Sequence, residues 1–118
     1  MKRIAIPISN GKLSEFFGQC DYYKIYDIDL KKIEKEQEIL FPAKEKMENM
    51  PDWIADKGIS DLVSYKIDNK IIKMFINNKI NLYIGIPIKT PVEIVNDYIN
   101  GNLKSDGKVI SEITNNKK

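Results

Sequence analysis

The 118-residue chain has no histidine, one cysteine (Cys20) and one arginine (Arg3). Without an imidazole, Ser-His-Asp and Cys-His catalysis have no base. A lone cysteine excludes an intramolecular disulfide, and one chain cannot assemble a Cys₄ or Cys₂His₂ zinc site. No side chain has an unperturbed pKa between about 5 and 8. Acid–base chemistry would need a strongly shifted carboxylate, lysine or thiol. The longest run without a charge, Ile80 to Ile88, is nine residues, well short of the ~20 that span a bilayer. Lys2 and Arg3 precede only the short stretch Ile4 to Ile8, which is no signal-peptide core. These absences predict a soluble, cytoplasmic protein without a membrane partner.

What is present is an ordinary globular balance, 42% hydrophobic and 31% charged, in a chain long enough for one domain. Area scaling gives ~20,000 Å² for the extended chain and ~6,600 Å² for the fold, so a core forms without a staple. The 19 basic residues are Arg3 and lysines, interleaved with 17 acids for a net charge of +2. Bidentate recognition of phosphate and guanine favours arginine, and no basic block inside the chain exceeds Lys31-Lys32. Nucleic acid is therefore not an expected partner.

Lys2 to Ser9 alternates isoleucines with Arg3, Ala5 and Pro7, the period of a strand. Pro7 cannot donate to a ladder, which predicts a strand end or an edge. Ser9-Asn10-Gly11 reads as a turn. Tyr22 to Ile28 is a second strand, and Asp29-Leu30-Lys31 turns into a third, Lys32 to Leu40. The third strand sets Glu34, Glu36 and Glu38 on one face and Ile33 and Ile39 on the other, as an edge strand allows.

Pro51 starts a helix that runs to Lys57, with Gly58 as its left-handed stop. Asp61 to Tyr65 is a short strand, and Asp68 caps a helix whose stripe is Ile71, Ile72, Phe75 and Ile76. Ile80 to Ile86 is apolar enough to be a strand buried on both faces. Thr90-Pro91-Val92-Glu93 is a capping box that opens a helix ending at Gly101, with Val92, Val95 and Ile99 as its buried stripe. Residues 102–118 read as a mobile or loosely docked polar tail. The order βββαβαβα predicts an α/β fold with a mixed sheet: three antiparallel strands, then parallel strands joined by helix crossovers.

The stretch Ile4-Ala5-Ile6-Pro7-Ile8-Ser9-Asn10-Gly11-Lys12-Leu13-Ser14, with Phe17-Gly18 and Cys20 after it, resembles the dinitrogenase iron–molybdenum cofactor biosynthesis family. That family comprises NifX-type and NafY-type carriers and the C-terminal domain of NifB. Tyr22 to Asp29, Met50-Pro51-Asp52-Trp53-Ile54, Gly58-Ile59-Ser60-Asp61, Gly85 and Tyr98-Ile99-Asn100-Gly101 extend the likeness over residues 2 to 103. It implies a ribonuclease-H-like fold, a five-stranded mixed sheet with flanking helices, in a single domain over 1–103, followed by the tail 104–118. It implies a non-catalytic carrier of an iron–sulfur or iron–molybdenum-type cluster, with a cluster-assembly or acceptor protein as partner. Where the family has histidines this chain has Phe16 and Gln19, and Lys44-Glu45 replaces a His-Glu pair. Ser64-Tyr65-Lys66-Ile67 replaces a Gly-rich loop. Cys20 persists.

Cys20 is thus the expected metal ligand, because a thiolate suits iron–sulfur clusters. The competing reading is a small buried hydrophobe, common for free cysteine. Asn10 and Gly11, with Gly18, could offer backbone N–H groups to an anionic cofactor as a nest does, or be plain turn residues. Phe16-Phe17 walls a pocket or packs in the core. Glu45, Met47 and Glu48 supply ligands or form a solvated loop. Asp27 and Asp29 resemble the paired acids of metal nucleases, which need further acids converging from other elements. Three functions follow: a cluster carrier, a cofactor-free interaction module, and a metal-dependent nuclease-like enzyme. Topology predicts that the Ser9–Cys20, 41–50 and 64–67 loops share one end of the sheet.

Overall fold

A computed structural model describes residues 1–40 and 47–115. Six strands form one mixed sheet: β1 (Lys2–Ser9), β2 (Lys12–Leu13), β3 (Tyr22–Asp29), β4 (Lys32–Ile39), β5 (Asp61–Val63) and β6 (Asn81–Tyr83). Among the described residues four α-helices accompany them, α1 (Met50–Asp56), α2 (Asn69–Asn77), α3 (Pro91–Ile99) and α4 (Gly107–Asn115), with a 3-10 turn, Met47–Asn49, leading into α1. The strand order is β4-β3-β1-β5-β6, with β2 paired to β1. β3 is antiparallel to β1 and β4, whereas β5 is parallel to β1 and to β6. The expected mixed sheet is present, with β2 as an addition to the five strands read from the sequence.

β1 is central, so both of its faces are covered. Ala5, Tyr23, Ile25 and Leu62 pack under Met50 and Ile54 of α1 and Ile71 and Phe75 of α2. Ile4, Ile6, Ile8, Tyr26 and Val63 pack under Ile94 and Val95 of α3. Pro7 lies inside this central strand and not at an edge. Its carbonyl accepts from the Ser14 N–H at 2.9 Å. The nitrogen on the same side of the strand therefore faces that loop, and no β1–β3 bond is lost.

Two tight turns close the hairpins. Asn10 (φ 54°) and Gly11 (φ 79°) join β1 to β2. Both angles are positive, as a two-residue primed turn requires, and Asn-Gly is its preferred pair. Leu30 (φ 49°) and Lys31 (φ 64°) do the same between β3 and β4 with two residues that resist the left-handed region. β4 is the charged edge strand expected, but a bulge breaks its alternation. Ile28 faces Ile33 while Asp27 faces Lys35, so Glu34 is the extra residue. Ile33 therefore shares the face of Glu36 and Glu38, opposite to Ile39.

Helix signals at the caps hold, and the stripes shift. The Asp68 carboxylate accepts from the Lys70 N–H at 3.1 Å. Thr90 and Glu93 form both bonds of the capping box. Ile76 and Val92, expected inside, are exposed. Phe75 and Ile94 are fully buried in the places that helix phase leaves for them. Ile80 to Ile86, expected as a strand buried on both faces, supplies only the short edge strand β6, with Asn81 exposed and Leu82 and Tyr83 half-buried. Its apolar residues still alternate between the two cores, Leu82 and Ile84 on one and Tyr83 and Ile86 on the other.

The polar segment after α3 contains a helix. Residues 107–115 form α4, and Val109 joins the α1–α2 core. Ser105 Oγ accepts from the Ile84 N–H at 2.9 Å, and the Asp106 N–H donates to the Ile84 carbonyl at 2.8 Å. Gly85 (φ 79°) lets this segment close: a Cβ there would stand 2.7 Å from Asp106 Cβ and 3.0 Å from Val109 Cβ.

Candidate functional site

The C-terminal end of β1 leads into a loop that is cinched on one buried hydroxyl. Ser14 Oγ lies 3.0 Å from the carbonyls of both Phe16 and Gln19, so its one proton serves two acceptors. The Gln19 N–H donates to the Phe16 carbonyl at 3.1 Å, with Gly18 at φ 97° inside that turn. The loop returns to the sheet through the Asp21 N–H, which donates to the Ile8 carbonyl at 2.7 Å. Asp21 Oδ2 accepts from the Asn10 N–H at 3.2 Å. Asn10, Gly11, Gly18 and Cys20 thus belong to one tied loop system.

The loop after β5 is strapped to it. Phe16 and Lys66 form a parallel bridge. The Phe17 N–H donates to the Lys66 carbonyl at 2.9 Å, and the Lys66 N–H to the Glu15 carbonyl at 3.1 Å. The two loops share the end of the sheet that topology predicts, while residues 41–46, with Lys44 and Glu45, lie outside the described residues. The Phe16-Phe17 pair splits. Phe17 stacks edge-on against Phe75 at 5.4 Å in the core. Phe16 is 46% exposed. The Lys66 ammonium stands over both its ring, at 5.8 Å, and that of Tyr65, at 5.7 Å. This places a half-buried cation between two aromatic faces.

Cys20 is half-buried at the edge of the α1–α2 core. Burial pushes its thiol pKa up. A hydrogen bond with Tyr23 opposes the rise, and the nearby Asp21 charge adds to it. The Tyr23 hydroxyl donates to Met50 Sδ at 2.6 Å and is itself pushed far up, chiefly by burial. This arrangement favours the neutral thiol, which must lose its proton to bind a metal.

The carboxylates offer less. Asp27 is gripped by Arg3, whose Nε and Nη2 donate to its two oxygens at 2.6 and 3.2 Å. Arg3 Nη1 also donates to the Lys57 carbonyl at the end of α1. The pair is a brace between β1, β3 and α1. Asp29 lines a cavity at the opposite end of the sheet. Among the described residues, no three His, Cys, Asp or Glu side chains gather to hold a metal ion.

The sequence placed the 41–50 and 64–67 loops at this end but assigned no role to Ser14, Tyr23, Met50 or Lys66. Ser14 stood within the recognised motif, and only its burial reveals its role. Lys66 reaches the loop through a bridge between segments 50 residues apart, which no local pattern encodes.

Residues 1–101 match the family described as dinitrogenase iron-molybdenum cofactor, and the chain belongs to it. An uncharacterized protein of Methanocaldococcus jannaschii is 28% identical over 87 residues, which cover 70% of this chain and 74% of that protein. The crystal structure of PH0822 superposes with a TM-score of 0.82 at 24% identity, covering 92% of this chain and 97% of that one. A dinitrogenase candidate from Methanocaldococcus jannaschii superposes with a TM-score of 0.72 at 20% identity, covering 89% and 94%. These structures share the fold. Among the described residues, no helix is long and apolar enough to cross a membrane.

Proposed function

We propose that this chain is a small, non-catalytic, cytoplasmic carrier that takes up an iron–sulfur or iron–molybdenum-type cluster as cargo. Cys20 is the ligand, and Asn10, Gly11 and Gly18 shape the loop that presents it. The observation that carries this reading is the position of Cys20. The one thiol of a histidine-free chain stands half-buried beside two loops strapped together at the strand ends, where open α/β sheets bind ligands. The strand order, with β2 set aside, also fits the ribonuclease-H-like description that the family implies.

The donor set fits loose holding. One thiolate supplies a single soft bond, and the half-buried Lys66 ammonium adds attraction for an anionic cluster. Weak retention suits delivery to a cluster-assembly or acceptor protein. Two chains sharing one cluster would supply two thiolates. Because burial favours the neutral thiol, uptake that needs the thiolate expels a proton and weakens as pH falls.

Native mass spectrometry after anaerobic incubation with iron and sulfide tests the reading. A cluster-sized mass on one chain, or on a pair of chains, is expected. A spectrum of bare chain alone overturns it. One observation favours the second reading, a cofactor-free interaction module: the Cys20 thiol already has a partner in Tyr23 and is pushed toward its neutral form. The nuclease-like reading lacks such support, since Arg3 occupies Asp27 and Asp29 lies elsewhere.

A further inference from the structure

The end of the sheet opposite Cys20 holds a cavity of about 390 Å³, between the starts of β1, β5 and β6, the β3–β4 turn and the end of α3. Its volume falls in the ~300–1,000 Å³ range of small-molecule sites. It takes no part in the reading above.

Its floor is polar and fixed. Asp61 is 1% exposed. Its carboxylate accepts from Ser60 Oγ at 2.7 Å, Tyr98 Oη at 2.8 Å and Asn81 Nδ2 at 2.9 Å. A carboxylate has about four acceptor positions, so one remains for a further donor. Tyr83 and Tyr98 stand edge to face at 6.1 Å and give an aromatic wall, which Ile99 and Ile28 continue. Such faces attract an ammonium group.

The rim has the other sign. Lys2 and Lys31 line the mouth and are exposed, and neither forms an ion pair among the described residues. Asp29 accompanies them, so ammonium groups outnumber carboxylates at the rim. The turn that carries Lys31 is strained. Leu30 and Lys31 are both left-handed, at a cost of roughly 1–2 kcal/mol per residue, where the chain's other hairpin uses Asn-Gly. Backbone strain of this kind persists where surrounding structure and function hold it.

We propose that this cavity is a binding site for a small zwitterion with a flat apolar body, of the aromatic amino-acid class. The ammonium group meets the free acceptor position of Asp61 and the tyrosine faces. The carboxylate meets Lys2 and Lys31, and the ring lies along Tyr83, Tyr98 and Ile99. A simple organic anion would satisfy the lysines and leave the free acceptor position of Asp61 without a donor, and a simple cation would satisfy Asp61 and leave the lysines unpaired. The gradient of sign from floor to rim selects a ligand carrying both charges.

The test is a titration of the full chain followed by amide proton–nitrogen correlation spectra, with L-phenylalanine as the probe. Saturable shifts are expected at Lys2, Lys31, Asn81 and Tyr98. 3-Phenylpropanoate, which lacks the ammonium, and phenethylamine, which lacks the carboxylate, should each bind at least about tenfold more weakly. Lys31→Gln, at an exposed position, should weaken the probe several-fold. Cys20→Ser should leave it unchanged, which separates this site from the proposed carrier function. Absence of saturable shifts, shifts confined to other parts of the chain, or equal binding of either single-charge analogue would overturn the proposal.

Discussion

Gly11 and Gly85 have the same backbone angle, φ 79°, in opposite surroundings. An alanine at Gly11 meets nothing within 4 Å, whereas at Gly85 its Cβ would stand 2.7 Å from Asp106 Cβ and 3.0 Å from Val109 Cβ. Gly11→Ala therefore isolates the strain of a left-handed alanine, roughly 1 kcal/mol. Gly85→Ala carries that strain and also drives α4 off the sheet. Undocking exposes Val109, which is 7% exposed, at about 1.5–3 kcal/mol for a core valine. It also breaks the two hydrogen bonds to Ile84, each worth about 1 kcal/mol net. Part of this loss is recovered if α4 only shifts, so the expected destabilisation is about 3 kcal/mol for Gly85→Ala against about 1 for Gly11→Ala. Urea unfolding of both variants measures the difference. Limited proteolysis should cut Gly85→Ala, and not Gly11→Ala, between residues 102 and 107. Equal stabilities within about 0.5 kcal/mol, with α4 still protected, would refute the account of how the C-terminal helix is docked.

Other consequences follow from the same contacts. Arg3→Lys removes the two-pronged grip on Asp27 and the bond to the Lys57 carbonyl. It should cost about 1–3 kcal/mol by urea unfolding, toward the lower end because the Arg3 side chain is 36% exposed. Thr90→Ala deletes the cap of α3 and should cost about 1 kcal/mol in the same measurement. Burial raises the Cys20 thiol pKa, so iodoacetamide alkylation of the folded chain should reach its pH midpoint above that of the unfolded chain. By the same sign, the stability contributed by the neutral thiol is complete below the unfolded pKa. It is lost as pH rises through the raised one. Tyr23→Phe should move the alkylation midpoint higher still, since the Tyr23 bond is what lowers it. A folded midpoint below the unfolded one would contradict this.

The elements that local chemistry defines were legible in the sequence. β1 could be read from its isoleucine spacing, α3 from Thr90 and Glu93, and the first hairpin turn from Asn10-Gly11. Features set by distant contacts were not. The bulge at Glu34 is a property of a strand pair, and sequence alternation within one strand cannot reveal it. α4 has few apolar residues, and its docking depends on the missing Cβ of Gly85, more than twenty residues earlier. Pro7 looked like an edge residue because the rule concerns its missing N–H. In the fold that nitrogen points to the side of the strand where the Ser14 loop, and not β3, is the neighbour. At the candidate site the loop residues Asn10, Gly11, Gly18 and Cys20 could be read as one motif. The strap through Lys66 and the sulfur–hydroxyl contact of Met50 and Tyr23 join segments far apart in the chain.

The central claim is that Cys20 holds the cargo. Its most direct test is the iron bound per chain after anaerobic reconstitution of the wild type and Cys20→Ser, read with the visible absorbance of both. Serine keeps the shape of the side chain but replaces the soft sulfur by a hydroxyl that rarely ionises. The account predicts iron and sulfide-to-iron absorbance in the wild type and neither in Cys20→Ser. Equal iron in the two proteins would contradict the assignment of Cys20 as ligand, and no iron in either would contradict the carrier function.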